Sequence, residues 1–227
     1  MTLAVVAAVL LAQTVVPAQA PGASENPPAV KILPVDESGS DPGFAKFRDE
    51  LIEAAQKRDI AFLRSAIAPA VAMGFETGPA SLEEVLAAFQ RTDREEDLWE
   101  ELRDVLLLGA TREGGGFCAP YVATKYPRNL YPEYLVVTVN RLRVRRQPNV
   151  QAPVIATLSY ELVKPLYDFD LPYEEGKREK NRWVKIRTSS GIEGHVCGKY
   201  VRHPHGYRAC FEKINGQWKL VSFVAGD

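Results

Sequence analysis

The chain has 227 residues, of which 46% are hydrophobic and 25% are charged, and its formal net charge is −1 at pH 7. These fractions are ordinary for a globular protein, so the chain can bury a real core as one large or two small domains. The basic residues are not interleaved in a recognisable nucleic-acid-binding motif, which argues against a nucleic-acid partner.

Residues 1–20 predict an export signal. They contain no charged side chain, and an apolar stretch is followed by Ala18-Gln19-Ala20, a small-x-small cleavage pattern. The usual Lys or Arg before the apolar stretch is absent, so a weak signal, an uncleaved anchor and a mis-assigned start are alternatives. The stretch is shorter than the roughly 20 apolar residues that span a bilayer. We therefore expect a periplasmic or secreted protein with no membrane span after signal cleavage.

Residues 21–40 are predicted to form a disordered linker. Pro and Gly are too dense in this segment for regular structure until about Asp41. We interpret the segment as a tether between the export signal and the first folded domain.

Residues 41–130 are predicted to form a helical domain. Asp41 can cap a first helix, Pro42 suits its first turn, and apolar residues then recur every three or four positions. A second short helix is expected over residues 60–67. It ends before Pro69, because the proline ring cannot continue the hydrogen-bond ladder.

Two further helices are each expected to begin with a capping box. Ser81 precedes Glu84 by three residues, which is the spacing of that motif. Thr92 and Glu95 repeat the spacing before a second apolar stretch, and Gly109 supplies a stop. After Gly109, the Pro-rich and Gly-rich residues 114–132 predict an irregular crossing to the next domain.

Residues 131–205 predict a compact β module, because short β-branched runs alternate there with Pro and Gly. The strands are expected at residues 135–140, 142–146, 154–158, 162–167, 183–188 and 192–197. Alternation places Trp183, Lys185 and Arg187 on one face, and Val184 and Ile186 on the other.

This module resembles the bacterial SH3-like (SH3b) family. The resemblance rests on the following residues: Leu142, Val144, Arg145, Pro148, Trp183, Gly191, Gly194 and Tyr200. The sequence departs from the family pattern at Gln147, where glycine is common, and at His195, where tryptophan is common. The resemblance implies a small β-barrel that other envelope proteins carry as a binding appendage.

Aromatic and basic residues near the loops of the SH3-like family bind extended peptides or cell-wall glycans. By this resemblance we expect an exposed ligand-binding face in the β module. Its candidate residues are Arg143, Arg145, Tyr167, Phe169, Tyr173 and Trp183.

Residues 206–227 predict a C-terminal β-hairpin around Asn215-Gly216, because both turn residues tolerate a positive φ. This turn sets Glu212 opposite Lys219 and Phe211 opposite Leu220. The ending also resembles the last strands of nuclear transport factor 2-like α+β proteins. That resemblance implies that the hairpin packs back on the helices, with the β module inserted between them. The predicted fold class is therefore α+β.

The three cysteines and three histidines offer limited chemistry. Cys197 and Cys210 lie in neighbouring predicted strands, so a disulfide between them is one expectation. Three buried unpaired cysteines are the alternative. Cys118 lies between glycines and a proline instead of at a helix start, so we expect no catalytic cysteine. No cysteine pair or carboxylate completes a metal site around the histidines, so we expect neither a metal nor a cofactor.

The charge is uneven along the chain. Residues 41–113 hold 9 Lys and Arg against 16 Asp and Glu, whereas residues 131–205 hold 13 against 8. Opposite fields of this kind either steer the two parts together or direct the basic part to an acidic wall polymer. Two solvated surfaces without a partner are the third interpretation.

These observations favour a non-catalytic exported protein whose SH3-like domain binds a cell-wall component or an envelope protein. The first alternative is a small-ligand-binding or enzymatic α+β domain that carries the SH3-like barrel as a targeting appendage. An acidic residue and a histidine converging in a deep apolar pocket would favour it. The second alternative is a structural or dimerising role.

Overall fold

The structure is a computed structural model that describes residues 26–73, 79–91, 97–130, 133–166 and 182–226. These residues form a mixed α+β protein, as predicted, and their strands make two sheets. The α-helices are α1 (Pro42–Lys57), α2 (Ile60–Ala66), α3 (Leu82–Gln90), α4 (Leu98–Leu107) and α5 (Tyr121–Lys125). Within the described ranges, none of the helices has the length and apolarity needed to cross a bilayer.

Polar side chains cap helices α1 to α4, and the caps of α1 and α3 are the predicted ones. The Asp41 carboxylate accepts a hydrogen bond from the backbone N–H of Phe44 at 3.0 Å. Ser81 and Glu84 form the expected capping box at the start of α3. The predicted capping box of Thr92 and Glu95 lies outside the described residues. Helix α4 begins at Leu98, and its cap is the side chain of Asp97.

The first sheet has six strands in the order β2-β1-β13-β12-β4-β3. Its strands are β1 (Ile67–Ala72), β2 (Ala80–Ser81), β3 (Thr111–Glu113), β4 (Gly116–Ala119), β12 (Arg208–Ile214) and β13 (Gln217–Val224). Strand β1 is parallel to β13, and the other neighbours are antiparallel. Four of these six strands fall between residues 41 and 130. The predicted helical domain is therefore wrong in this respect, because the segment contributes strands as well as helices to one α+β unit.

Two segments of the predicted helical domain differ from expectation. Helix α2 ends at Ala66, and Ile67 already starts β1, which pairs with strands on both sides. The expected irregular crossing is partly a hairpin, because β3 and β4 pair around Gly114 and Gly115. Both differences come from pairing with the C-terminal hairpin β12–β13, which lies about 90 to 150 residues further along the chain.

The C-terminal hairpin packs on the helices through aromatic side chains. The Phe44 ring of α1 stacks on Phe117 of β4 with ring centroids 4.0 Å apart, and its centroid lies 5.0 Å from that of Trp218 of β13. Phe211 of β12 completes this group at 5.4 Å from Phe44. A buried core therefore fills the space between the helices and the first sheet, and it includes Leu102 of α4.

The second sheet has seven strands in the order β11-β5-β8-β9-β10-β6-β7, and all neighbours are antiparallel. Its strands are β5 (Leu135–Val137), β6 (Leu142–Arg145), β7 (Val154–Leu158), β8 (Leu162–Pro165), β9 (Trp183–Arg187), β10 (Glu193–Cys197) and β11 (Val201–Arg202). Six of the strands match the predicted ones within a few residues. Among the described residues no pairing joins the end strands β7 and β11.

The residues expected to form a disordered linker are ordered from Asn26 onward. Lys31 bridges to Glu161, and the backbone N–H of Ile32 donates to the carbonyl of Tyr160 at 2.8 Å. The Ile32 side chain is buried in a small core with Tyr121 of α5 and Leu162 of β8. Prolines prevent helix and regular strand here, but an extended segment can still pack in a groove and make isolated backbone bonds.

The disulfide joins Cys118 of β4 to Cys210 of β12, so the expected pairing of Cys197 with Cys210 is wrong. Cys118 and Cys210 lie directly opposite each other in neighbouring strands of the first sheet. Cys197 belongs to the second sheet, where it lies opposite Trp183 and is not disulfide-bonded. Nearness in sequence suggested the wrong pair, because the chain passes from one sheet to the other between residues 202 and 208.

Candidate functional site

The most informative surface is one face of the second sheet, which we call the outer face. It is formed by alternate residues of β6, β9 and β10. The outer face consists of Arg143, Arg145, Trp183, Lys185, His195 and Cys197. The intervening residues point to the opposite side, where Val144, Ile186 and Val196 are buried in the sheet's own core. The alternation of a β-strand thus separates a basic face from an apolar one.

Strand register aligns the outer-face residues in rows. His195 of β10 lies directly opposite Lys185 of β9 on one side and opposite Arg145 of β6 on the other. Cys197 lies opposite Trp183 in the next row, and Arg143 is two residues from Arg145 on the same strand. Directly opposite residues have Cβ atoms about 4.5 to 5.5 Å apart. Three basic side chains therefore share a row, next to an aromatic one.

The close approach of β6 and β10 depends on Gly194. A Cβ at Gly194 would lie 2.6 Å from a Val144 methyl carbon and 2.8 Å from the Arg145 carbonyl oxygen. A side chain at this position would push the strands apart. Gly194, which the SH3-like resemblance includes, is therefore needed to place His195 beside Arg145.

Side-chain contacts fix part of the outer face and leave part accessible. The guanidinium of Arg145 donates to the Ala152 carbonyl at 2.7 Å, which orients it toward the β6–β7 connection. At one end of the face, Arg187 pairs with Glu193 at 2.6 Å. Arg143 is exposed, whereas Trp183 and His195 are half-buried.

The structure brings together three of the six predicted ligand-binding residues. Arg143, Arg145 and Trp183 share the outer face. Tyr167, Phe169 and Tyr173 lie outside the described residues. The resemblance did not name Lys185 or His195 as ligand-binding residues. The alternation of side chains along the strand, which puts Lys185 on the same face as Trp183, would have suggested Lys185.

A second feature is a cavity of about 220 Å³ between helix α4 and the β5–β11 edge of the second sheet, which we call the α4 cleft. One wall carries Glu101 and Asp104, and the other carries Lys199 and Arg202. Burial lowers the pKa of the Arg202 guanidinium, and the nearby carboxylates of Glu101 and Asp104 act in the opposite direction. Among the described residues that line this cavity there is no histidine, so they do not supply the acid and histidine pair that would favour an enzyme.

The histidines and cysteines do not assemble a metal site in the described ranges, where no cluster of three or more potential ligands occurs. His203 and His205 lie in a turn, as Pro204 and Gly206 predict, with the Gly206 N–H donating to the His203 carbonyl at 3.0 Å. His205 has its pKa lowered by burial, and the charges of His203 and Arg208 act in the same direction. His203 and His205 are therefore part of the turn that links the two sheets.

Comparison of the chain with protein-family models, with curated proteins and with solved structures finds no match.

Proposed function

We propose that this chain is an exported, non-catalytic binding protein that attaches to an acidic component of the cell envelope through the outer face of an SH3-like β module. The observation that carries the proposal is the row of Lys185, His195 and Arg145, with Trp183 and Arg143 in the next row. Two cations, Lys185 and Arg145, flank a polar imidazole beside an aromatic ring. This arrangement suits an extended anionic ligand, because the two charges attract it and the ring gives contact area.

The remaining support comes from charge and covalent structure. Residues 131–205 hold five more basic than acidic residues, so the field around the second sheet favours an anion. The Cys118–Cys210 disulfide is compatible with an oxidising compartment, where such bonds persist. The uncharged, apolar first twenty residues fit export.

The experiment is co-sedimentation of the purified protein with purified cell-wall material. We expect the protein to be retained, and retention to fall as salt rises from 50 to 500 mM, because salt screens exposed charges. Arg143→Glu should lower retention by about fivefold, which is about 1 kcal/mol for an exposed charge contact.

The matched control is Arg128→Glu, which reverses another exposed arginine away from the outer face, beside Glu113 of β3. Both variants should keep the thermal unfolding midpoint of the parent protein. Retention that is equal in Arg143→Glu, Trp183→Ala and the control would show that the outer face does not carry the binding.

A further inference from the structure

The α4 cleft has walls of opposite charge. Glu101 and Asp104 are three residues apart on α4, so both project from the same side of the helix. Lys199 comes from the 3-10 turn Gly198–Tyr200, and Arg202 comes from β11, an edge strand of the second sheet. Both carboxylates act on the Arg202 guanidinium, which places the two walls within electrostatic reach of each other.

Hydrogen bonds connect the basic wall to the second sheet and to the segment that follows it. The N–H and the hydroxyl of Thr138 both donate to the Tyr200 carbonyl, at 2.9 and 3.2 Å. The Arg202 guanidinium donates to the Tyr207 carbonyl, which fixes the start of the chain segment that returns to the first sheet. A guanidinium has five N–H donors, so this bond engages only part of the Arg202 side chain, which also lines the cleft.

The rest of the cleft is apolar. Leu107, Leu108, Val139 and Val201 contribute to its lining, and Leu107 is 60% exposed. A volume of about 220 Å³ is below the roughly 300 to 1,000 Å³ of drug-sized sites and equals about seven water molecules. The cleft therefore suits a small molecule that carries both charges and one aliphatic group.

We propose that the α4 cleft binds a free amino acid or a short peptide, with its ammonium group against Glu101 and Asp104 and its carboxylate against Lys199 and Arg202. The aliphatic side chain of the ligand packs against Leu107 and Val139. Asp104 already accepts two hydrogen bonds at one oxygen from the Arg103 guanidinium, at 2.8 and 3.2 Å. A carboxylate has about four acceptor positions, so the ammonium group of the ligand shares Asp104 with Arg103. This site is separate from the outer face and does not depend on it.

The test is calorimetric titration of the full chain with leucine and alanyl-leucine, and with two blocked probes. N-acetylleucine lacks the ammonium group, and leucinamide lacks the carboxylate. We expect leucine to bind at least about tenfold more tightly than either blocked probe, because each loses one set of charge-assisted hydrogen bonds. Equal affinity for leucine and N-acetylleucine would overturn the proposal, as would absence of binding by leucine and alanyl-leucine at 10 mM.

Variants assign the two walls separately. Glu101→Gln should weaken the binding of leucine and leucinamide about tenfold and leave the binding of N-acetylleucine unchanged. Lys199→Gln should weaken the binding of leucine and N-acetylleucine only. Glu100→Gln, the neighbouring carboxylate outside the cleft lining, is the matched control. If Glu100→Gln and Glu101→Gln have the same effect, the cleft is not the site. Arg143→Glu should leave leucine binding intact, which separates this result from wall attachment.

Discussion

Asp36 connects the N-terminal segment to helix α1. Its carboxylate accepts hydrogen bonds from the Arg48 guanidinium of α1, at 2.7 and 2.6 Å to its two oxygens, and from the backbone N–H of Ser38 at 3.1 Å. Burial alone would raise the pKa of Asp36, but the hydrogen bonds from Arg48 and Ser38 outweigh it and lower the pKa to about 2. One carboxylate thus anchors a segment that has no regular secondary structure of its own.

We expect Asp36 to contribute stability that is present above its unfolded pKa of about 3.8 and is lost as pH falls toward 2. The sign follows because the unfolded chain binds the proton first as pH decreases. Urea unfolding of the parent protein and of Asp36→Asn at pH 6, 4, 3 and 2 measures this contribution. The variant should be less stable at pH 6, and the difference should shrink by pH 2. A difference that stays constant over this range would contradict the assignment.

At the residue scale, the sequence predicts side chains whose partners are near in the chain. Ser81 and Glu84 were assignable because a capping box is a local motif. Asp36 was missed because its partner Arg48 lies across what the proline content suggested was a linker boundary. The pairing of Cys118 with Cys210 was missed for the same physical reason, since strand neighbours are set by the whole sheet.

At the scale of elements, the C-terminal hairpin shows how far a local signal can reach. Asn215 and Gly216 have φ values of 51° and 79°, as a tight two-residue turn requires. The predicted register is confirmed, with Glu212 opposite Lys219 and Phe211 opposite Leu220. The turn therefore determines which side of β13 carries Trp218 and Leu220 into the core.

Gly216→Ala should destabilise the protein by about 1 to 2 kcal/mol, because a side chain at positive φ is strained. Gly115→Ala is the matched control, since it lies in the β3–β4 turn with open space around its Cβ position. Guanidinium unfolding measures both variants. Equal losses of stability in the two variants would mean that the positive φ at Gly216 is not the cause of the destabilisation.

Elements with distant partners were beyond the reach of sequence patterns. Strand β1 contains Pro69, which the sequence predicted only as the end of a helix, and β1 lies between β2 and β13. Six of the seven strands of the second sheet were predicted, because each of the six has its own alternation and turn residues. The outer face was partly predictable for that reason, whereas the α4 cleft requires the relative position of α4 and β11.

At the scale of the molecule, the disulfide fastens the point where the second sheet is inserted into the first. Cys118 in β4 and Cys210 in β12 are 92 residues apart in sequence, and all seven strands of the second sheet lie between them. The bond therefore closes the loop that contains the proposed wall-binding module.

Replacing Cys118 and Cys210 by Ser should lower the free energy of unfolding by about 4 to 5 kcal/mol, the loop-closure entropy for a ring of this length. Cys197→Ser, at the free cysteine, should change it by less than about 1 kcal/mol. Denaturant unfolding measures all three proteins, and reductant should destabilise the parent and Cys197→Ser only. A double variant as stable as the parent would contradict a stabilising role for the bond.

The ordered N-terminal segment has a consequence for synthesis on the ribosome. Lys31 needs Glu161 as its bridge partner, and β1 needs β13 as its neighbour. The chain emerges from its amino end. Residues such as Lys31 can therefore complete their contacts only after more than a hundred later residues have been synthesised. Strand β13 leaves the ribosome after the other strands of the first sheet and completes that sheet. A translation product interrupted before β13 would expose the apolar side of α1 to proteases and chaperones.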